Sequence, residues 1–124
     1  MTISEVSRKY GLTQDTLRYY ERVGIIPPVH RASSGLRDYT EEDCSWVELA
    51  KCMRSAGLQV EAIARYVSLA QQGDETISER RDLLIEQRKQ LKEQLISVQE
   101  ALKRLDYKIS RYDAAVKEGF LSWD

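Results

Sequence analysis

From Glu75 to Asp113 the chain contains neither proline nor glycine, and its apolar residues recur on heptads. Ile77, Leu84, Leu91, Val98, Leu105 and Tyr112 stand seven apart, while Leu95, Leu102 and Ile109 supply the second seam position. Five such heptads specify a coiled-coil helix. At about 1.5 Å per residue it spans roughly 58 Å, far more than the small domain before it. A helix of that length cannot bury its own seam. It either folds back on its own domain or pairs with a partner, and the heptads favour pairing. Arg81 and Arg88 occupy seam positions in the first half, so that half is expected to meet something other than its mirror image. The far half, with Leu91, Leu95, Val98, Leu102, Leu105, Ile109 and Tyr112, is the expected dimer seam. Beyond Asp113, Phe120, Leu121 and Trp123 read as a short apolar tail that packs on the partner.

The front of the chain is punctuated quite differently. Thr2 and Glu5 form a capping box, and Ile3, Val6 and Tyr10 recur at roughly helical spacing up to Gly11. Thr13 caps a second helix with Asp15 in its first turn, and Gly24 is placed to end it. Two short helices joined by a glycine turn are a helix-turn-helix signature. Ile25, Ile26, Pro27 and Pro28 then read as an extended exit, with Ser33, Ser34 and Gly35 at the tip of a two-stranded wing. Thr40 and Asp43 open a third helix whose expected inward stripe is Trp46, Leu49, Ala50, Met53 and Ala56, closed by Gly57. A fourth helix starts near Gln59, a poor N-cap, turns Ile63, Tyr66, Val67 and Ala70 inward, and ends at Gly73. The expected organisation is a winged helix-turn-helix domain over residues 1–73, a coiled-coil helix over 74–113 and a tail over 114–124. The fold class is mostly α.

The chemistry concentrates between Thr16 and Asp43. TLRYYERVGIIPP places Arg18, Tyr19, Tyr20 and Arg22 on one short helix, and RASSGLRDYTEED adds Arg31, Arg37 and Tyr39 on the wing. Guanidiniums bond phosphates and guanine edges, and tyrosines offer a hydroxyl to phosphate and a flat face to sugar or base. At 3.6 residues per turn these side chains cannot all face one way, so Leu17 and one tyrosine are expected in the core. Arg31 is a further expected DNA contact, and Lys51 and Arg54 are candidates for flanking phosphate. A net charge of −1 runs against nucleic-acid binding taken alone. Its distribution reverses that reading: from Arg8 to Arg37 six basic residues face two acidic ones, whereas Asp38 to Glu48 holds five acidic residues and no basic one.

No apolar run approaches a membrane span and no basic start leads into a signal region, so a cytoplasmic protein without a membrane partner is expected. His30 is the chain's single histidine and reads as a wing residue, not a metal ligand. Cys44 and Cys52 lie eight apart on one helix, about two turns or roughly 12 Å. They can share neither a disulfide nor a metal. Cys44 is read as facing away from the stripe, and Cys52 as flanking it.

Together these residues resemble the MerR family of bacterial transcription regulators, most specifically between Ile3 and Asp43. The resemblance implies that Arg18 enters the major groove while Thr16, Tyr19, Tyr20, Arg37 and Tyr39 grip backbone or adjoining bases. It implies an antiparallel homodimer that reads a two-fold operator. It also implies activation by bending and untwisting a promoter with an overlong spacer in the presence of RNA polymerase. Metal-sensing members place cysteines around and beyond the long helix, and no cysteine follows Cys52, so no metal and no cofactor is expected. The extra domain of multidrug-sensing members is also not expected. KCMRSAGL, Lys51 to Leu58, is similar to a subgroup that responds to reactive aldehydes or nitrogen oxides, in which Cys52 matches the sensor cysteine of a stress response. The competing reading is an architectural or excisionase-like winged-helix protein without an inducer, against which the long helix speaks. A cysteine-nucleophile enzyme is disfavoured because the lone histidine lies far from Cys52 and near the DNA face.

Overall fold

A computed structural model describes all residues, Met1–Asp124. Helices run over Ile3–Tyr10 (α1), Gln14–Val23 (α2), Glu41–Ser55 (α3), Val60–Gln72 (α4) and Ile77–Glu118 (α5), with a 3-10 turn at Asp74–Thr76 before the last. The capping signals act where the sequence places them. Thr2 with Glu5, and Thr40 with Asp43, form reciprocal capping boxes, and the Thr13 side chain accepts from the Thr16 N–H. Gly11 and Gly24 end α1 and α2 in the left-handed region, where a Cβ would be strained. Gln59 makes no side-chain cap, yet α4 forms from Val60.

The chain divides into two compact units, Met1–Gln87 and Arg88–Asp124. The core of the first joins Val6, Leu17, Tyr20, Ile25, Ile26, Val29, Tyr39, Val47, Ala50, Ile63 and Val67. Consecutive helices pack on each other, α1 on α2, α2 on α3 and α3 on α4. The expected stripe of α3 requires correction. Cys44, Val47 and Ala50 are buried together with Asp43, whereas Trp46, Leu49 and Met53 are half-buried and Ala56 is exposed. Apolar residues cover so wide an arc of this helix that periodicity cannot select the inward line, and packing on α2 and α4 selects it instead. Cys44 therefore belongs to the core, at 6% exposure. In α4 the buried residues are Ile63, Val67 and Leu69, with Tyr66 and Ala70 half-buried.

The two-stranded wing is reduced to one antiparallel bridge, Arg31 to Arg37. Around it the Asp38 N–H donates to the His30 carbonyl at 2.7 Å and the Ala32 N–H to the Leu36 carbonyl at 2.8 Å. Glycine at 35, with φ 86°, turns the tip.

The helix α5 continues to Glu118, five residues past the expected end, because nothing interrupts it before Gly119. In the second unit the tail folds back on its own helix. The Tyr107 hydroxyl donates to the Trp123 carbonyl and Arg111 Nε to the Ser122 carbonyl, both at 2.6 Å, and the Trp123 ring meets Tyr107 and Tyr112. Leu95, Val98, Leu102, Leu105, Ile109 and Tyr112 are left 54–57% exposed, and Leu91 half-buried.

Thr76, 4% exposed, ties the turn before α5 to α4. Its hydroxyl reaches the carbonyls of Leu69 at 2.6 Å and Gly73 at 2.7 Å and accepts from Arg80 Nε at 3.0 Å. Thr76→Val keeps the shape but strands the Leu69 carbonyl. It is expected to destabilise the fold by about 1–3 kcal/mol, read as a lower urea midpoint at unchanged m-value.

Candidate nucleic-acid interface

The second helix of the helix-turn-helix, α2, presents Arg18 and Arg22 to solvent and keeps Leu17 and Tyr20 inside. The Arg18 side chain, 45% exposed, lies along its own helix, with donors 3.1 Å from Asp15 Oδ1 and 3.3 Å from Gln14 Oε1. Such an exposed i,i+3 pair is worth little and exchanges readily. Thr16 sits in the first turn, half-buried, its hydroxyl accepting from Thr13 at 2.8 Å. Tyr19 is half-buried, with the Arg22 guanidinium 5.4 Å from its ring centre.

The wing is fastened by Glu21, a residue the sequence reading passed over. Its carboxylate accepts from the Val29 N–H at 2.8 Å and from Arg37 Nε at 2.8 Å, with the Arg31 guanidinium 3.8 Å away. Burial raises the Glu21 carboxyl, but the Val29 N–H and the Arg37 guanidinium outweigh it and hold the group below the ordinary carboxylate range. Arg37 is thereby a wing strut, 21% exposed at its side chain, while Arg31 stays 47% exposed.

A second carboxylate clips the wing to α3. Asp43 Oδ2 accepts from His30 Nδ1 at 2.9 Å, from the His30 N–H at 3.3 Å and from the Thr40 N–H at 3.0 Å. Burial raises this carboxyl too, and the Thr40 N–H and His30 bonds again lower it on balance.

Two of the expected contacts are largely buried. Tyr20 and Tyr39 are 5% and 2% exposed, and burial pushes both phenols up. As folded both rings belong to the core, and Tyr39 Oη is buried without a hydrogen-bond partner. Aromatic residues flanked by arginines read alike from sequence whether they face DNA or the core. The two flanking cations are engaged at helix ends: Lys51 Nζ donates to the Tyr10 carbonyl at 2.5 Å and Arg54 to the Leu58 carbonyl at 2.9 Å. Thr16, Arg18, Tyr19, Arg22 and Arg31 remain on the surface built by α2 and the wing. The two cysteines also part company: Cys44 is buried and Cys52 exposed on α3. No helix is long and apolar enough to cross a membrane.

A helix-turn-helix followed by a clipped wing and a long seam-bearing helix defines the class of winged-helix regulators. The family described as MerR HTH family regulatory protein matches residues 1–69, and the chain belongs to the MerR family of transcriptional regulators. It is 53% identical over 91 residues to the HTH-type transcriptional regulator AdhR of Bacillus subtilis, a match covering 73% of this chain and 65% of that protein. A crystal structure assigned to the MerR family from Listeria monocytogenes is 44% identical, with a TM-score of 0.84 over 96% of this chain and 90% of that one. The structure of HiNmlR, a MerR family regulator lacking the sensor domain, bound to promoter DNA, is 33% identical, with a TM-score of 0.79 over 96% of this chain and 94% of that one.

Glu21→Ala is expected to leave the Val29 N–H unsatisfied and cost about 1–3 kcal/mol near neutral pH. Because the folded carboxyl lies below its unfolded value, this stabilisation is present above about pH 4.5 and lost as pH falls through the folded value. Urea unfolding of wild type and variant should therefore diverge at pH 7 and converge in acid.

Proposed function

We propose that this protein is a homodimeric regulator that binds double-stranded promoter DNA through α2 and the wing. Arg18 enters the major groove, and Thr16, Tyr19 and Arg31 grip backbone or adjoining bases. Arg37, Tyr20 and Tyr39 hold the wing and helix that present them. The observation that carries this reading is the match, over nearly the whole of both chains, to a regulator bound to promoter DNA.

The dimer rests on the seam of α5. Seven apolar residues from Leu91 to Tyr112 stay half-exposed in the single chain, an uncovered stripe that a second copy of the helix would bury. Residues 1–73 serve as the DNA-binding domain, 74–113 as the antiparallel pairing helix and 114–124 as the tail. Two recognition helices then meet half-sites separated by whole helical turns. RNA polymerase shares the promoter, whose overlong spacer the dimer bends and untwists, so activation draws on deformation energy. The setting is the cytoplasm, where thiols stay reduced.

Cys52 is the proposed sensor of reactive aldehydes. Electrophiles reach a solvent-accessible thiol, and the exposure of Cys52 on α3 supports this role over packing in the core. Cys44, buried, is the packing cysteine. A bias of a few kcal/mol in the relation between the two DNA-binding domains suffices to switch a promoter.

Run-off transcription from DNA upstream of the gene tests the whole reading. Aldehyde should stimulate wild type, while Cys52→Ser binds DNA equally well and ignores the inducer; an unchanged response in Cys52→Ser sinks the thiol mechanism. Val98→Asp together with Leu102→Asp should give a monomer by light scattering and weaken operator binding at least about a hundredfold, since half the contacts of a two-fold site are lost.

A further inference from the structure

His30 is the only histidine of the chain, and its place on the wing is specified more tightly than that of a surface residue. Its backbone N–H and its Nδ1 both bond one oxygen of Asp43, whose side chain is 5% exposed, while the imidazole itself is 61% exposed. A carboxylate held by three donors can only accept, so Nδ1 carries the hydrogen and the ring's orientation is set. The remaining nitrogen, Nε2, lies on the opposite edge of the ring, away from Asp43. The next residue along the chain is Arg31, an exposed cation of the proposed interface.

We propose that His30 is a DNA-backbone contact, aimed by Asp43, whose Nε2 takes up a proton from solvent and donates it in a hydrogen bond to a phosphate beside the wing. The inference rests on the DNA-binding reading above and adds to it a residue and a proton. The geometry suits the role. Both ring nitrogens of an imidazolium are donors, and here one would meet a buried carboxylate and the other a phosphate, so the cation stands between two anions. The charged groups around it act in the same sense or are already paired. From α3 comes Asp43, with Glu41 and Glu42 in the same first turn. Across the wing the Asp38 N–H bonds the His30 carbonyl, and the Asp38 carboxylate pairs with the Met1 ammonium at 3.2 Å. Arg31 opposes the charge, and its guanidinium leans 3.8 Å from Glu21. A structural clasp between wing and α3 explains the Asp43 bond equally well but requires no phosphate, and this difference can be measured.

The experiment uses the full chain and a labelled duplex from directly upstream of its own gene, with a mixed-sequence duplex as control. Affinity and its salt dependence are measured at about pH 6 and pH 8 for wild type and for His30→Gln, whose side-chain amide keeps a donor for Asp43 but cannot take up a proton. Wild type should bind about tenfold tighter at the lower pH, and His30→Gln should lose that gain, as expected for one charge-assisted bond. At pH 6 the plot of log affinity against log salt should be steeper for wild type by about 0.9, one phosphate's worth of released counterion, and the two slopes should coincide at pH 8. His30→Arg, a permanent cation, should abolish the pH dependence while keeping the steeper slope. Equal salt slopes for wild type and His30→Gln at both pH values, with DNA binding intact, would overturn the phosphate contact and leave a clasp. Failure of wild type and variant alike to prefer the upstream duplex at any pH would overturn the DNA-binding reading itself.

Discussion

A hairpin joined by one antiparallel bridge cannot hold its own shape in water, and the wing stands because two carboxylates fasten it to the helices on either side. Glu21 reaches from α2 to Val29 and Arg37; Asp43 reaches from the first turn of α3 to His30 and Thr40. Burial alone would raise and weaken both acids. Each is held low because its oxygens are met by backbone N–H groups and a basic side chain, which recover what solvent is denied. The recognition helix, the wing and the start of α3 thus behave as one piece, and the positions of Arg18 and Arg31 follow from that piece.

How much of this was legible depends on whether the signal is local. Capping boxes at Thr2 and Thr40 and the left-handed glycines at 11 and 24 mark helix ends through bonds made within a few residues, so they can be read along the chain. Orientation is settled by tertiary packing. The helix α3 offers Cys44, Trp46, Val47, Leu49, Ala50 and Met53 to several directions, and tertiary packing, which sets Cys44 beside Met1, selects Cys44, Val47 and Ala50 as the buried line. The same limit separates Tyr19 from Tyr20 and hides Tyr39, whose ring is buried although it follows an arginine and an aspartate. Glu21 was hidden for a different reason: an acid within a basic helix looks like charge balance until its long-range partners at 29 and 37 are seen.

The long helix carries the opposite lesson. Its heptads predicted a stripe that one chain cannot bury, and in the structure Leu95, Val98, Leu102, Leu105 and Ile109 are all left more than half exposed. The heptad pattern and the exposed stripe are one observation made twice, once along the chain and once on its surface. In the single chain Trp123 finds aromatic rings on its own helix, at Tyr107 and Tyr112, and the Ser122 and Trp123 carbonyls find donors there. Local closure of that kind needs no second chain.

The formal charge of −1 finally makes sense once each arginine is sorted by the burial of its partner. Arg37 is bonded to a carboxylate that is only 15% exposed, and breaking the pair would strand a partly buried charge, so it stays with the fold. Arg18 is bonded to an Asp15 side chain that is 96% exposed, and that pair can be given up in water at almost no cost. A phosphate carries a full charge and releases counterions when bound, so it competes well against the second kind of partner and poorly against the first. The acids near the interface therefore do not cancel it. Glu21 and Asp43 orient the wing, while Asp15 holds Arg18 loosely on the surface, in a pair that another anion can replace.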